Sequence, residues 1–357
     1  MGPILFVSGI DGKDGFKQKL QEWLFNYCFP REAKLIPSDV YYCSKVGFAE
    51  YIQAGITAAL DQYFYPIEIG RAAEDIGFRV VLHGAFNGYT SKEMLLDLYR
   101  KYNSNPNSLI TYHIGLHAEY TSDEEQESVV KEVLKELKAP FFVHISETQK
   151  EVDECYERHG MSPVEYFNSL GFYDYGGAGY HCIYFNDKDI DIFKEKNVSI
   201  VTNPGSNKYL ESGTCPVQKY YDLGFKVAIG TDGPASNYDL DMFLEMKLIH
   251  ENNPNIPCYE IVKMATSHGA IAMQLPNCDL LDQGKLADII MLDKNIIKDN
   301  KNIFDAIVEN GIKSSVKMTM INGKILYKEG GLILNEHLID IYKKCKEVSE
   351  RIDKEVK

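Results

Sequence analysis

A repeating alternation of two kinds of segment is the feature that most constrains the fold. Short apolar runs that end in a polar residue are each followed by a longer stretch with apolar residues at helical spacing. The runs are residues 56–61, 78–83, 109–115, 141–144, 179–183, 198–202 and 227–232. Strands that alternate with helices predict parallel βαβ units, and nearly continuous apolar runs predict strands that are buried on both faces.

The number of these runs bears on whether the sheet closes. A closed barrel of this type needs eight strands, and the alternation supplies seven. Residues 4–7 are also apolar, but they lack a comparable polar ending. We therefore predict an α/β fold, a (β/α)8 TIM-type barrel that is missing its first strand.

The pattern changes after residue 280. Residues 284–293 and 316–327 have the composition of short strands, with a tight turn at Asn322-Gly323. A charged amphipathic helix is predicted near the C-terminus. The predicted division is an N-terminally truncated barrel in residues 1–280, a partial β-sandwich in 281–330 (a small composite β domain) and a C-terminal helix in 331–357.

Composition excludes some partners and predicts the compartment. The formal charge of -14 gives no electrostatic basis for binding nucleic acid or an anionic membrane. Neither a signal peptide nor an apolar run of about 20 residues is present. The eight cysteines occur singly, which predicts buried free thiols. We predict a cytoplasmic protein that acts on a small molecule, with no nucleic-acid or membrane partner.

Several of the predicted strands end in side chains suited to metal and proton chemistry. His144, His181 and Asp232 each end a strand, and Glu147 follows His144 by three residues. A lone histidine or a lone Thr-Asp-Gly is usually structural, but strand ends of a barrel converge on one face. Imidazole and carboxylate suit zinc or ferrous iron, and a nearby glutamate can carry protons. The placement predicts a metal site.

Four motifs at these strand ends resemble those of aminohydrolases in the amidohydrolase superfamily. They are VHISET at 143–148, GYHC at 179–182, NPGSN at 203–207 and GTDGPASN at 230–237. These segments are similar to the family's His-x-x-Glu-Thr, AHC, NPxSN and GTDGxxSN motifs. The similarity extends from about Gly9 to Tyr327. It is closest to the S-adenosylhomocysteine/methylthioadenosine deaminases, beside the triazine hydrolases.

The resemblance implies a role for each matching residue. His144 and Asp232 would be metal ligands, and Asp232 would also be a base. Glu147 would contact the substrate and carry a proton from water to a ring nitrogen, while His181 would orient that water. The implied catalytic residues are therefore Glu147, His181 and Asp232. The implied cofactor is one divalent metal, zinc first and Fe(II) second.

Two further residues would bind substrate by the same resemblance. His117 lies in the segment GLHAEYT, where the family often has GPHAPYT, and Glu32 would reach the ribose hydroxyls of a nucleoside. His83 stands near the place of an arginine that methylthioadenosine deaminases carry, and this departure concerns substrate recognition. Dimers are common in the family, so a homodimer is expected by analogy.

The implied activity is hydrolytic deamination of a purine or adenosine-type substrate, such as S-adenosylhomocysteine or methylthioadenosine, with release of ammonia. One alternative is a guanine deaminase or a chlorohydrolase-like hydrolase of the same subgroup. Another is a catalytically inactive, ligand-binding homologue.

The second alternative arises because one motif is missing. The family takes two metal ligands from a His-x-His at the end of its first barrel strand, but the first histidine here is His83. If residues 2–9 align just after that motif, the missing ligands and the missing strand are one absence. The chain is then either a truncated enzyme or a homologue that has lost catalysis. The presence of Glu147, His181 and Asp232 favours truncation.

This departure leads to an expectation about metal affinity. Two ligands are fewer than the three protein ligands that a catalytic zinc ion normally has. We expect this polypeptide alone to bind the metal weakly. Elemental analysis of the purified protein tests this, and one tightly held zinc ion per chain would contradict it.

Overall fold

The structure is a computed structural model that describes residues 20–237, 239–298 and 302–356. Its main element is a parallel sheet of seven strands whose spatial order equals their order in the chain. The strands are β1 (Ala58–Asp61), β2 (Arg79–Gly84), β3 (Ile110–Gly115), β4 (Phe141–Ile145), β5 (Gly177–His181), β6 (Val198–Thr202) and β7 (Ala228–Ile229). Each of the seven apolar runs overlaps one of these strands, which confirms the predicted alternation.

The last predicted strand is shorter than its apolar run. Residues 227–232 form hydrogen-bonded sheet only at Ala228–Ile229, because Ile229 pairs with Thr202, the last residue of β6. Beyond this pair the backbone turns, and Asp232 has a φ of 57°. The apolar run at 227–232 therefore continues beyond the end of β6, where β7 has no more of that strand to pair with.

Within the described residues the sheet remains open, since β1 pairs only with β2 and β7 only with β6. The seven strands correspond to a barrel without one of its eight strands, as predicted for the fold class. The other apolar candidate, residues 4–7, lies outside the described residues.

Helices lie between the successive barrel strands, before the first of them and after the last. They are α1 (Leu20–Trp23), α2 (Phe29–Glu32), α3 (Pro37–Gln53), α4 (Pro66–Ile76), α5 (Lys92–Tyr102), α6 (Glu124–Leu137), α7 (Gln149–His159), α8 (Pro163–Ser169), α9 (Asp187–Glu195), α10 (Pro204–Tyr209), α11 (Val217–Asp222), α12 (Met242–Asn252), α13 (Cys258–Met264), α14 (Ser267–Ala272), α15 (Ile303–Asn310) and α16 (Leu338–Val356). A π-helical turn, Leu24–Cys28, joins α1 to α2. None of the helices in the described part of the chain is long and apolar enough to cross a membrane.

The inner face of the sheet has its own apolar packing. Val81 of β2 packs with Ala270 of α14 and with Leu275 just after that helix. His113 of β3 stacks on the Phe142 ring at 4.4 Å and donates a hydrogen bond from Nε2 to the Met273 carbonyl at 2.9 Å. The segment around α14 therefore covers part of the interior, and polar chemistry is left to the carboxyl ends of the strands.

A second, antiparallel sheet follows the barrel strands in sequence. Its strands are β8 (Ile289–Leu292), β9 (Val316–Ile321), β10 (Lys324–Lys328) and β11 (Gly331–Leu332), and its spatial order is β11-β10-β9-β8. The predicted turn is confirmed: Asn322 and Gly323 have φ values of 50° and 78° between β9 and β10. Helix α16 packs against α3. The domain boundaries at 280 and 330 stay a prediction.

The state of the cysteines agrees with the prediction from the sequence. All eight cysteines are free, and all but Cys278 are buried. The prediction of buried thiols without a disulfide framework is confirmed.

A buried ion pair joins the two sheets. Arg79 at the start of β2 donates from Nε and Nη2 to the two carboxylate oxygens of Asp288, at 2.6 and 3.0 Å, and donates from Nη1 to the Ser108 carbonyl. Asp288 also accepts the backbone N–H of Asn322 in the β9–β10 turn at 2.7 Å. Both charged side chains are almost fully buried, so each depends on the other for compensation.

We expect Asp288→Ala to lower the free energy of unfolding by about 3–5 kcal/mol, because it leaves the Arg79 guanidinium buried and unpaired. The exposed pair Arg100–Glu136 offers a control, and Glu136→Ala should cost less than about 1 kcal/mol. Urea denaturation followed by circular dichroism measures both. Equal midpoints for the two variants would contradict the role given to Asp288.

Candidate active site

One cavity of about 500 Å³ lies at the carboxyl ends of the barrel strands. Its lining includes all six site residues proposed from the sequence: Glu32, His117, His144, Glu147, His181 and Asp232. Residues that are up to 200 positions apart in the chain therefore meet at one place. Five of the six end or follow strands whose carboxyl ends lie on the same side of the sheet, and Glu32 is the last residue of α2.

Several of the turns that carry these side chains have an unusual backbone. Ser146, His181 and Asp232 have φ values of 50°, 70° and 57°, in the left-handed region that favours glycine. Such conformations cost roughly 1–3 kcal/mol each and persist where surrounding contacts hold them. Their position at three strand ends is consistent with a functional site.

His144 has its ring oriented by a backbone carbonyl. Its Nδ1 lies 2.9 Å from the His117 carbonyl oxygen, so Nδ1 must carry the proton and donate. Burial first, and then the neighbouring His181, lowers its pKa, so the ring is neutral. The remaining nitrogen, Nε2, therefore keeps a free lone pair, which is the form that a metal-binding imidazole needs.

Glu147 combines deep burial with few hydrogen bonds. Its Oε1 accepts a hydrogen bond from the Ser212 hydroxyl at 2.8 Å, and Oε2 lies 3.6 Å from His181 Nε2. Burial, together with the charge of Asp232, raises the pKa of Glu147 to about 7. A carboxyl group that titrates near neutral pH can both accept and donate a proton under working conditions.

The His181 ring is held between two asparagines. Its Nδ1 donates to Asn207 Oδ1 at 2.7 Å, and Asn203 Nδ2 donates to its Nε2 at 3.3 Å. Burial lowers the pKa of His181, so this ring is also neutral. The two amides therefore fix both the tautomer and the orientation of the imidazole.

Asp232 is the charged group of the cluster. It accepts hydrogen bonds from the Ser206 hydroxyl at 2.6 Å and from the Gly233 backbone N–H at 2.7 Å. Burial alone would raise the pKa of Asp232, but the adjacent imidazoles, His181 first, and the Ser206 hydroxyl hold it below its ordinary value. The carboxylate is therefore ionised and suited to a cation.

Glu32 and His117 also line the cavity, and the centroids of the His117 and His144 rings are 4.9 Å apart. Glu32 lies beside the Cys28 thiol and the Tyr63 hydroxyl, and burial raises its pKa. His117 Nδ1 is paired with the Thr121 hydroxyl at 2.8 Å, and burial lowers its pKa to about 3. His83 also lines the cavity and donates from Nε2 to the Phe142 carbonyl at 3.2 Å.

Sequence reasoning gave no role to the residues that hold these groups. Ser206, Asn203 and Asn207 belong to the NPGSN motif, whose match was recognised without a function for its members. Glu151 accepts the backbone N–H groups of Ser146 and Glu147 at 2.7 and 2.8 Å. Its spacing of four residues from Glu147, at the start of a helix, was the only available signal.

The sequence also gave no indication of a role for Glu245. It accepts the backbone N–H of Gly205 at 2.7 Å and the amide of Asn237 at 2.7 Å. A Cβ atom at Gly205 would lie 2.4 Å from Glu245 Oε1, so a larger residue there would displace the Glu245 carboxylate. Glu245 lies in the first turn of α12, and an acidic residue on a helix normally indicates a solvated surface.

The described residues include side chains of the types that bind a divalent metal, but too few of them for a complete ligand set. His144 offers a free ring nitrogen and Asp232 an ionised carboxylate, both suited to zinc. Around the cavity, no three acidic, histidine or cysteine groups in the described residues bring their ligand atoms within 4.8 Å of one another. A catalytic zinc ion normally has three protein ligands. The described side chains therefore supply part of a ligand set.

Comparison with known proteins identifies the family. The sequence profile described as "Amidohydrolase family" matches residues 8–326. The chain is 36% identical over 324 residues to the 5-methylthioadenosine/S-adenosylhomocysteine deaminase of Thermoanaerobacter pseudethanolicus, covering 86% of this chain and 75% of that protein. It is 34% identical over 339 residues to the 5'-deoxyadenosine deaminase of Methanosphaera stadtmanae, covering 90% and 80%. The chain belongs to the amidohydrolase family.

A solved structure supports the same fold. An adenosine deaminase from Xanthomonas campestris with bound zinc superposes with a TM-score of 0.89 at 24% identity, over 99% of this chain and 83% of that chain. The predicted family and fold are confirmed, and the relatives' names agree with the predicted deaminase subgroup. The family is generally metal-dependent.

Buried neutral histidines should make stability depend on pH. Burial lowers the pKa of His113 from its ordinary 6.5 to about 4, so between these values the unfolded chain binds a proton that the folded chain does not. Stability should therefore fall as pH decreases from 6.5 towards 4. We expect His113→Gln to reduce the loss between pH 7 and pH 5 by about 2 kcal/mol.

Urea titrations at several pH values measure this slope. His337 is exposed, so His337→Gln is the matched control and should leave the slope unchanged. An identical pH slope for wild type and His113→Gln would contradict the assignment of His113 as a buried neutral ring.

Proposed function

We propose that the protein catalyses hydrolytic deamination of an adenosine-type nucleoside, with release of ammonia. One observation carries the proposal: a glutamate whose pKa is about 7, a fixed neutral imidazole and an ionised aspartate line the same cavity. Two curated relatives that are 36% and 34% identical are named as deaminases of this kind. The cavity of about 500 Å³ is large enough for a nucleoside.

The reaction needs a proton to move from a water molecule to a purine ring nitrogen. Glu147 has the pKa for this task, and the Ser212 hydroxyl orients its carboxylate. His181, fixed by Asn203 and Asn207, would hydrogen-bond the attacking water. Asp232 remains ionised and would accept a proton from the same water.

Substrate recognition is assigned to Glu32 and His117, which line the same cavity. Glu32 would accept hydrogen bonds from the ribose hydroxyls, and His117 would contact the base. Trp23 and Phe29 contribute apolar surface to the same lining. Aromatic faces of this kind favour stacking against a planar ring.

We propose that His144 and Asp232 hold one divalent metal ion, zinc first and ferrous iron second. When bound, such an ion supplies Lewis acidity and lowers the pKa of coordinated water. Because the described ligand set is partial, we expect the affinity for this ion to be low. We also propose a homodimer and a cytoplasmic location, which remain expectations.

Ammonia release tests the reaction class. Purified protein supplied with excess zinc or ferrous iron should release ammonia from 5'-deoxyadenosine, methylthioadenosine or S-adenosylhomocysteine, and not from guanine or a chlorotriazine. Release of ammonia from guanine, or of chloride from the triazine, would support the alternative hydrolases. Nucleoside binding without ammonia release under any metal would support an inactive binding homologue.

The role of Glu147 has its own test. If ammonia is released, Glu147→Gln should lower kcat by about 10²–10⁴-fold, because glutamine cannot carry the proton. Glu157 is exposed on α7, and Glu157→Gln should leave kcat unchanged. Full activity in Glu147→Gln would remove Glu147 from the proposed chemistry.

A further inference from the structure

Glu119 is a buried acidic residue in the loop after β3, and the proposed reaction does not use it. Only 5% of its surface is exposed. Its Oε1 accepts hydrogen bonds from Arg158 Nε at 3.0 Å and from His159 Nε2 at 2.9 Å, and Arg158 Nη2 binds its Oε2. Three donors from the last turn of α7 therefore converge on this one carboxylate.

Helix α7 links this contact to the cavity. It begins at Gln149, two residues after Glu147, and Glu151 in its first turn binds the backbone N–H groups of the Glu147 turn. The same rigid helix therefore holds the Glu147 turn at its start and Glu119 at its end. Its C-terminal dipole favours the positively charged guanidinium there.

The loop that contains Glu119 also reaches the cavity. Its members include His117 and Tyr120, which both line the cavity. The His117 carbonyl oxygen accepts hydrogen bonds from both the backbone N–H and the ring Nδ1 of His144, at 3.0 and 2.9 Å. A shift of this loop would therefore change the tautomer and orientation of His144.

A second contact supports the same loop from the same side. The Ser122 hydroxyl donates to Glu127 Oε1 at 2.9 Å, and the Tyr166 hydroxyl donates to Glu127 Oε2 at 2.6 Å. The Tyr166 ring stacks on His159 with 3.8 Å between ring centroids. The stacking fixes the imidazole that binds Glu119.

Metal binding is the competing explanation for this cluster. Glu119, Cys155 and His159 bring potential ligand atoms within 4.8 Å of one another. Both oxygens of Glu119 already bind donors, and the Arg158 guanidinium would repel a divalent cation. Burial also raises the pKa of Cys155 to about 12, so its thiol is protonated. The contacts therefore favour an ion pair.

We propose that Glu119, Arg158 and His159 form a positioning clamp that fixes residues 116–122 against α7 and so sets the orientation of His117 and His144. The clamp deepens the proposed function, since it rests on the same cavity, but its structural effect can be measured without catalysis. Glu119 acts through other residues and is not a catalytic residue.

Hydrogen exchange tests the clamp directly. In Glu119→Gln, an amide donor replaces one carboxylate oxygen and faces the donors of α7. Exchange of amides in residues 116–122 should become about tenfold faster, while exchange in β5 and β6 stays unchanged. The control Glu136→Gln breaks an exposed ion pair on another helix and should change neither segment.

Nucleoside binding provides a second measurement. Trp23 is the single tryptophan of the chain and lines the cavity, so its fluorescence reports binding of 5'-deoxyadenosine. Glu119→Gln and Arg158→Gln should each weaken binding by about tenfold, and the double variant should be no weaker than either. Such non-additivity indicates that both residues act through one contact.

The outcomes separate the two proposals. If wild type binds no nucleoside, the proposed function fails, while the exchange measurement still decides the clamp. Unchanged exchange in residues 116–122 of Glu119→Gln overturns the clamp. Stoichiometric zinc bound by wild type and lost in Cys155→Ser also overturns it, because the cluster would then be a metal site.

Discussion

The candidate site depends on buried acceptors that hold the backbone of the strand-end turns. Glu151 binds the N–H groups of Ser146 and Glu147, and Glu245 binds the N–H of Gly205. A buried N–H without a partner costs about 1–3 kcal/mol, and a left-handed non-glycine residue costs a similar amount. Without these carboxylates the turns would relax, and the side chains that converge on the cavity would separate.

The site has more of the side chains needed for proton transfer than of those needed for metal binding. The proton-handling part is well supported, since Glu147, His181 and Asp232 each have buried partners that set orientation and protonation. The metal-binding part has two suitable side chains among the described residues. The same contrast appears in the sheet, where the described strands make seven of the eight that a closed barrel needs.

Particular residues show which parts of the structure could be predicted. Seven strands and the Asn322-Gly323 turn followed from local patterns, since apolar runs and left-handed turn residues act over a few positions. All six proposed site residues line one cavity, and five of them meet there because parallel strands place their carboxyl ends on one side. Glu245 and Arg79 could not be assigned, since each is explained by a partner that is 40 or 209 residues away in the chain.

The sequence by itself determined the alternation of strands and helices, the family and the identity of the side chains at the strand ends. These follow from short-range periodicity and from motifs of a few residues. Only the tertiary structure decided the protonation states, since the pKa of Glu147 near 7 and the neutral rings of His144 and His181 arise from burial and distant charges. It also decided that Glu119 pairs with the end of α7. Burial and pairing depend on which segments meet in space, and local sequence does not encode that.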